Sequence, residues 1–254
     1  MRTIPRDLVH APLSARGLNL PDLYTEQGIS YVEQLLSHGH HQSNITGKLI
    51  RGCIQQMKVE IGLPGALFCQ DYGKYHQLAT DTWVKHAWQF LWEHSMSIND
   101  GDPHLQLRRE GDMFLVSAFS AAGFAKQCLV RLNRCRLFLQ VTTLADIVTG
   151  LGTAITNSAW QGTLDTTRPK FYLWPKQQRP PQADWFEWRA ALQTTFGVHP
   201  HSRVLSRPLG AWIDDCPKWI WFLSNTDERL YRHQDQQWYF HARLPGRVSR
   251  AAIT

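Results

Sequence analysis

The sequence has no apolar run of the roughly 18 residues that a membrane-spanning helix requires, and Met1 to His10 lacks the apolar core of a secretory leader. An intracellular chain is expected. It also has no cysteines spaced C-x-x-C. Cys53, Cys69, Cys128, Cys135 and Cys216 are odd in number and scattered, which excludes a closed disulfide framework and a zinc knuckle. They are expected as small buried hydrophobes. The common catalytic signatures are missing as well: no G-x-x-x-x-G-K-[ST] phosphate loop, no G-x-S-x-G elbow, no H-E-x-x-H pair. Gly150-Leu-Gly152 lacks the third glycine of a dinucleotide site. Charged residues, at 19%, fall below the usual quarter. No catalytic residue, metal ligand or cofactor is therefore assigned.

What the chain does have is tryptophan, with 11 residues, and a net charge of +6 spread over 254 residues. Such a length folds as one large domain or two modest ones. The positive balance favours polyanionic partners.

Hydrophobic spacing predicts helices through most of the first half. Asp22 to about Ser37 carries Leu23, Ile29, Val32, Leu35 and Leu36 at helical intervals, and His38 to Ser43 interrupts it. Ser43 or Asn44 can cap a second helix. Its expected buried stripe is Ile45, Leu49, Ile50, Cys53, Ile54, Met57 and Ile61, stopped by Gly62 and Pro64. A third, capped by Thr80 or Asp81, gathers Trp83, Val84, Ala87, Trp88, Leu91 and Trp92 on one side. Asn99 to Pro103 is a turn signal and a boundary.

Beyond it, helices are expected over Met113 to Ala122 and Phe124 to Asn133, then a strand over Arg136 to Val141. Gln177 to Gln182, with paired prolines, is the best linker. A helix over Ala183 to Phe196 ends at Gly197. Three aromatic segments, Trp219 to Leu223, Arg229 to Arg232 and Trp238 to Ala242, then read as an antiparallel meander before a frayed basic tail. The expected fold class is α+β: a mainly helical N-terminal region (1–100), a short mixed centre (101–176), and a C-terminal helix plus small antiparallel β-meander (183–254).

Two clusters invite functional readings and are set aside. His38, His40 and His41 lack a supporting cysteine or carboxylate and read as a solvated loop. Trp212-Ile213-Asp214-Asp215 mimics the aromatic-x-Asp-Asp turn of reverse transcriptases, whose carboxylates hold two Mg²⁺ ions. Cys216-Pro217 follows at once, where a hydrophobic return strand would be needed, so the reading is an acidic turn.

Basic and aromatic residues are the better candidates. Arg131, Arg134 and Arg136 form a basic edge running from a helix into the expected strand, and arginine forks match phosphate oxygens. In the meander Trp219, Tyr231 and Trp238 are candidates for stacking bases, with Arg243 and Arg247 beside them for phosphate.

A resemblance enters on particular residues. Ala11-Pro-Leu-Ser-Ala-Arg-Gly-Leu-Asn-Leu-Pro-Asp-Leu-Tyr-Thr-Glu-Gln-Gly-Ile29 resembles the segment that follows the palm in non-LTR (LINE-type) retrotransposon reverse transcriptases. Arg16-Gly17-Leu18-Asn19-Leu20 stands where the family pattern has additional glycines. Ile45 to Ile50, Leu78 to Trp83, Asn133 to Leu139 and Pro208 to Trp212 also look like the carboxy-terminal part of such polyproteins. The resemblance implies a non-catalytic remnant without palm and fingers, contacting RNA or DNA beside a polymerase palm absent from this chain. The alternative from another class is a protein-interaction or scaffolding domain whose exposed tryptophans anchor a partner.

Overall fold

The structure is a computed structural model that describes residues 9–39, 44–100, 105–165 and 172–213, and beyond these the backbone of four segments between 220 and 253. Contacts divide the chain into two compact units. One comprises Met1–Ile61, Gly65–His104 and Leu173–Pro175; the other comprises Gly62–Pro64, Leu105–Tyr172 and Lys176–Thr254.

The first unit is built from α1 (Leu23–His38), α2 (Ile45–Ile61), a single turn α3 (Tyr72–Tyr75) and α4 (Trp83–Glu93). Asn44 starts α2 as the sequence suggests, its side-chain oxygen accepting from the Thr46 N–H at 3.0 Å. The core gathers Ile50, Ile54 and Met57 of α2 with Val84, Trp88 and Leu91 of α4. Trp88 is fully enclosed and donates its indole N–H to the Gln70 carbonyl at 3.0 Å. Two buried charges at the end of α2 tie loops to the core. Lys58 meets Asp100 at 2.7 Å, and Asp100 also accepts from the Leu67 N–H. Glu60 accepts from the Thr80 N–H at 2.9 Å. The turn signal around Asp100 is therefore also a tie.

The expected buried stripe of α2 splits in two. Ile50, Ile54, Met57 and Ile61 are buried, whereas Ile45 and Leu49 are 75% and 65% exposed and Cys53 is exposed. At 100° per residue Ile45 and Leu49 lie on a flank turned away from the buried set, so the helix does not bury both groups against one core.

The second unit packs α5 (Leu115–Ala121), α6 (Lys126–Leu139), α7 (Asn157–Gln161) and α8 (Gln182–Phe196). Trp185 and Trp188 of α8 are almost wholly buried, and Trp188 packs edge-on against Phe119 of α5. Their indoles are satisfied by the carbonyls of Pro180 and Ala159, both at 3.1 Å. Gly162, at φ +70°, is required by its surroundings, because a Cβ there would lie 2.6 Å from the Trp185 ring.

The loops of this unit are knotted by two buried carboxylates. Asp112 accepts from the N–H groups of Arg108, Met113 and Ala145. Asp146 accepts from Thr142 and Thr143 and pairs with the Arg108 guanidinium at 3.1 Å. Burial raises the Asp112 carboxyl above its usual range, and the bonds from the Arg108 and Ala145 N–H groups pull the other way. Arg109, also buried, donates to the carbonyls of Gly150 and Gly210 and lies under the Trp212 ring.

Two expectations are corrected. Arg136 to Val141 is no strand: α6 continues to Leu139, and Gln140 ends it in the left-handed conformation at φ 58°. Leu129, Leu132, Cys135 and Leu139 follow helical spacing and bury together, and that outweighs the short β-like run. The α+β class is corrected to a helical fold, since residues 9–213 contain helices and 3₁₀ turns and no strand among the described residues. Their apolar surface is buried helix on helix, and a small sheet is stable only with one face covered. No meander is present in the part described with its side chains. Beyond it, only backbone is described for Ile220–Leu223, Leu230–Gln234, Gln237–Leu244 and Arg247–Ile253, which pair antiparallel in chain order.

Candidate nucleic-acid interface

Of the expected phosphate contacts, Arg131 and Arg134 stand one turn apart on α6, each with 44% of its side chain exposed. Both lean on α8. Arg131 donates to Glu187, which also accepts from the Cys128 thiol at 3.5 Å, and Arg134 lies 3.6 Å from the buried Asp184. Asp184 sits in the first turn of α8, where the helix N-terminus favours a carboxylate. A guanidinium has five N–H donors, so a single contact to a carboxylate leaves donors for phosphate.

Arg136 is corrected. It is fully buried, donating to the Asn133 side chain at 2.7 Å and to the Val141 carbonyl at 3.1 Å, with Gly62 against its guanidinium. Every third or fourth position of α6 faces the core, and Arg136 falls on that face between Leu132 and Leu139. It braces the end of α6 and the loop after it, and a phosphate cannot reach it.

Trp219 lies outside the described residues, as do Asp214 and Asp215 of the acidic turn. Tyr231, Trp238, Arg243 and Arg247 fall on the backbone-only segments, outside the residues whose side chains are described. The expected stacking platform is thus not brought together with Arg131 and Arg134 by any described contact.

The sequence reading missed Arg189, which lies over the Phe186 ring at 4.8 Å on α8, with Phe186 62% exposed. Their i, i+3 spacing was the available signal. It also missed the segregation of charge. From Leu105 onward there are 19 Lys and Arg against 11 Asp and Glu, whereas residues 1–104 carry 8 against 10. All of the net positive charge belongs to the second stretch.

No protein family, curated protein or solved structure matches the chain. Chemistry must be read from the residues. Burial, and then Glu187, hold the Cys128 thiol up to about 11, and burial raises Cys135 further, so both are protonated at neutral pH and neither is a ready nucleophile. The described residues contain no group of three or more His, Cys, Asp and Glu placed to hold a metal ion. Nor do they contain a helix long and apolar enough to cross a membrane. Among the described tryptophans Trp88, Trp185 and Trp188 are core residues, Trp83, Trp160 and Trp174 are partly buried, and Trp92 and Trp212 are half-exposed.

Proposed function

We propose that the protein is a non-catalytic module that contacts the sugar-phosphate backbone of RNA or DNA, as the post-palm region of a non-LTR reverse transcriptase would beside its polymerase palm. The observation that carries this reading is the charge segregation: a net +8 beyond Leu105 against −2 before it. Fields of one sign concentrated on part of a molecule attract a polyanion at long range, and arginine forks then hold its oxygens. Arg131 and Arg134 are the described residues that support this chemistry, each half-exposed on the same face of α6. The resemblance of Ala11 to Ile29 and of Pro208 to Trp212 to that polymerase region supports the same class of partner.

Fluorescence anisotropy with labelled single-stranded RNA and DNA tests it. Binding is expected at 50 mM salt and should weaken by about tenfold or more at 200 mM, as released counterions require. Absence of binding to either strand at 50 mM overturns the reading. Primer extension with Mg²⁺ should give no product; turnover abolished by Asp215→Asn would overturn its non-catalytic part.

A further inference from the structure

Trp212 differs from the core indoles of Trp88, Trp185 and Trp188. Each of those donates its N–H to a backbone carbonyl, whereas the Trp212 indole makes no hydrogen bond among the described residues and Trp212 is 40% exposed. What the ring does touch is Arg109, whose guanidinium carbon lies over it, 4.8 Å from its centroid. Arg109 is only 6% exposed. The guanidinium thus covers one face of the indole, and the exposed part is the opposite face and the edge.

The backing is fixed in place. Arg109 Nε donates to the Gly210 carbonyl at 2.9 Å and Nη1 to the Gly150 carbonyl at 3.1 Å. A Cβ on Gly152, at φ +73°, would lie 2.9 Å from the guanidinium carbon and from both terminal nitrogens. Equal distances put Gly152 against the flat side of the group, where only a glycine fits. The backbone that carries Trp212 is pinned as well. Gly210 and Ile213 donate their N–H groups to the carbonyls of Glu110 and Arg108, and the Glu110 N–H donates to the Ala211 carbonyl. A ring on so fixed a stretch gives up little freedom when a ligand covers it.

Charge selects what can cover it. Both acceptors of Arg109 are neutral carbonyls, and the carboxylate near enough to act on it, Asp112, is engaged by three backbone N–H groups. A positive charge therefore stands directly behind the indole. A ring that already holds a cation on one face does not favour a second cation on the other; it favours an uncharged, electron-rich ring. The chain from Leu105 onward is also the basic part, with 19 Lys and Arg against 11 Asp and Glu, and it draws polyanions. Trp92, the other half-exposed indole, stands where acids outnumber bases.

We propose that the open face of Trp212 stacks one unpaired nucleobase of a bound single strand. The inference rests on the nucleic-acid reading above and adds to it a residue that holds a base, where Arg131 and Arg134 supply contacts to phosphate. Base–aromatic stacking needs a free ring face and no hydrogen-bond partner, so it admits every base and holds the larger purines best.

The test measures fluorescence anisotropy of the full chain at 50 mM salt with two labelled strands of equal length and charge. One is a dodecamer of deoxyadenosine; the other is its abasic counterpart, which keeps the phosphates and has no bases. The parent is expected to bind the adenine strand about tenfold more tightly or better, as one stacked base requires. Trp212→Leu should weaken the adenine strand about tenfold. It should leave the abasic strand and the slope of log K against log salt unchanged, because no phosphate contact is lost. Trp212→Phe, which keeps a ring over Arg109, should lose about threefold, with unchanged circular dichroism for both variants. Three results overturn the stacking site while the nucleic-acid reading stands: a parent that binds the two strands equally, a folded Trp212→Leu that loses both strands alike, or one that binds the adenine strand as the parent does, which would leave the ring to a protein partner. Should Trp212→Leu not fold, photocrosslinking of the parent to a strand bearing 5-bromouracil decides: attachment at Trp212 supports the site, and attachment only elsewhere, or none, overturns it. Absence of binding by the parent to either strand overturns the nucleic-acid reading and this site with it.

Discussion

Arg136 shows how a residue's place on a helix decides what it does. The three arginines of α6 look equivalent in sequence, but burial removes Arg136 from solvent and gives it two acceptors, Asn133 and Val141. Arg136→Ala should lower stability in urea unfolding by about 3 kcal/mol, from the lost packing and two orphaned acceptors. Arg131→Ala at a half-exposed ion pair should cost about 1 kcal/mol or less. Gly162→Ala forces a Cβ at positive φ toward the Trp185 ring and should cost at least about 1–2 kcal/mol by the same measurement. Asp112 carries a pH signature. Its folded pKa is raised, chiefly by burial, so the folded state holds the proton more tightly than the unfolded chain. The stabilisation is fully present below the unfolded value and is lost as pH rises through the folded one. Relative to Asp112→Asn, the parent should therefore lose stability between pH 4 and neutral; a flat difference across that window would contradict the assignment.

At the scale of elements, helices were the legible part. Asn44, Gly62 and Gly197 bracket helices as punctuation predicts, and α1, α2, α4 and α8 lie within a few residues of their expected positions. The failures share a physical origin. Arg136-Leu-Phe-Leu-Gln-Val141 has the composition of a strand, but Leu129, Leu132 and Cys135 upstream had already set a helical phase, which Leu139 completes. For α2, periodicity could mark Ile45, Leu49 and Cys53 as apolar but could not say which flank of one broad apolar face finds a partner. That decision is tertiary, and mutation can read it. Ile54→Ala should cost about 2–5 kcal/mol, whereas Leu49→Ala, at a 65% exposed position, should stay within about 0.5 kcal/mol. Comparable losses at both sites would mean that the outer face of α2 is covered in solution. The close crossing of α1 and α4 was illegible for another reason: it needs Gly28 set against Phe90, sixty-two residues away, and no local pattern carries that contact.

On the scale of the whole molecule, charge is sorted along the chain while hydrophobicity is not. Tryptophans are core material in both units, Trp88 in one and Trp185 and Trp188 in the other, so an abundance of indole says little about recognition. The sign of charge says more, because solvated charges act at a distance set by salt and independent of packing. If the basic stretch beyond Leu105 carries the contact with a strand, removing charge there and removing it in the first unit must differ. Arg131→Gln with Arg134→Gln should weaken single-strand binding severalfold at 100 mM salt. It should also reduce the slope of log K against log salt by up to about 1.4, the value for two phosphate contacts on a single strand. Lys48→Gln with Arg51→Gln removes the same formal charge from α2, in the slightly acidic part of the chain, and should leave the slope unchanged. Equal effects from the two pairs would mean that net charge alone governs binding; loss confined to α6 would locate the phosphate contacts on the face that α6 shares with Glu187 and Asp184.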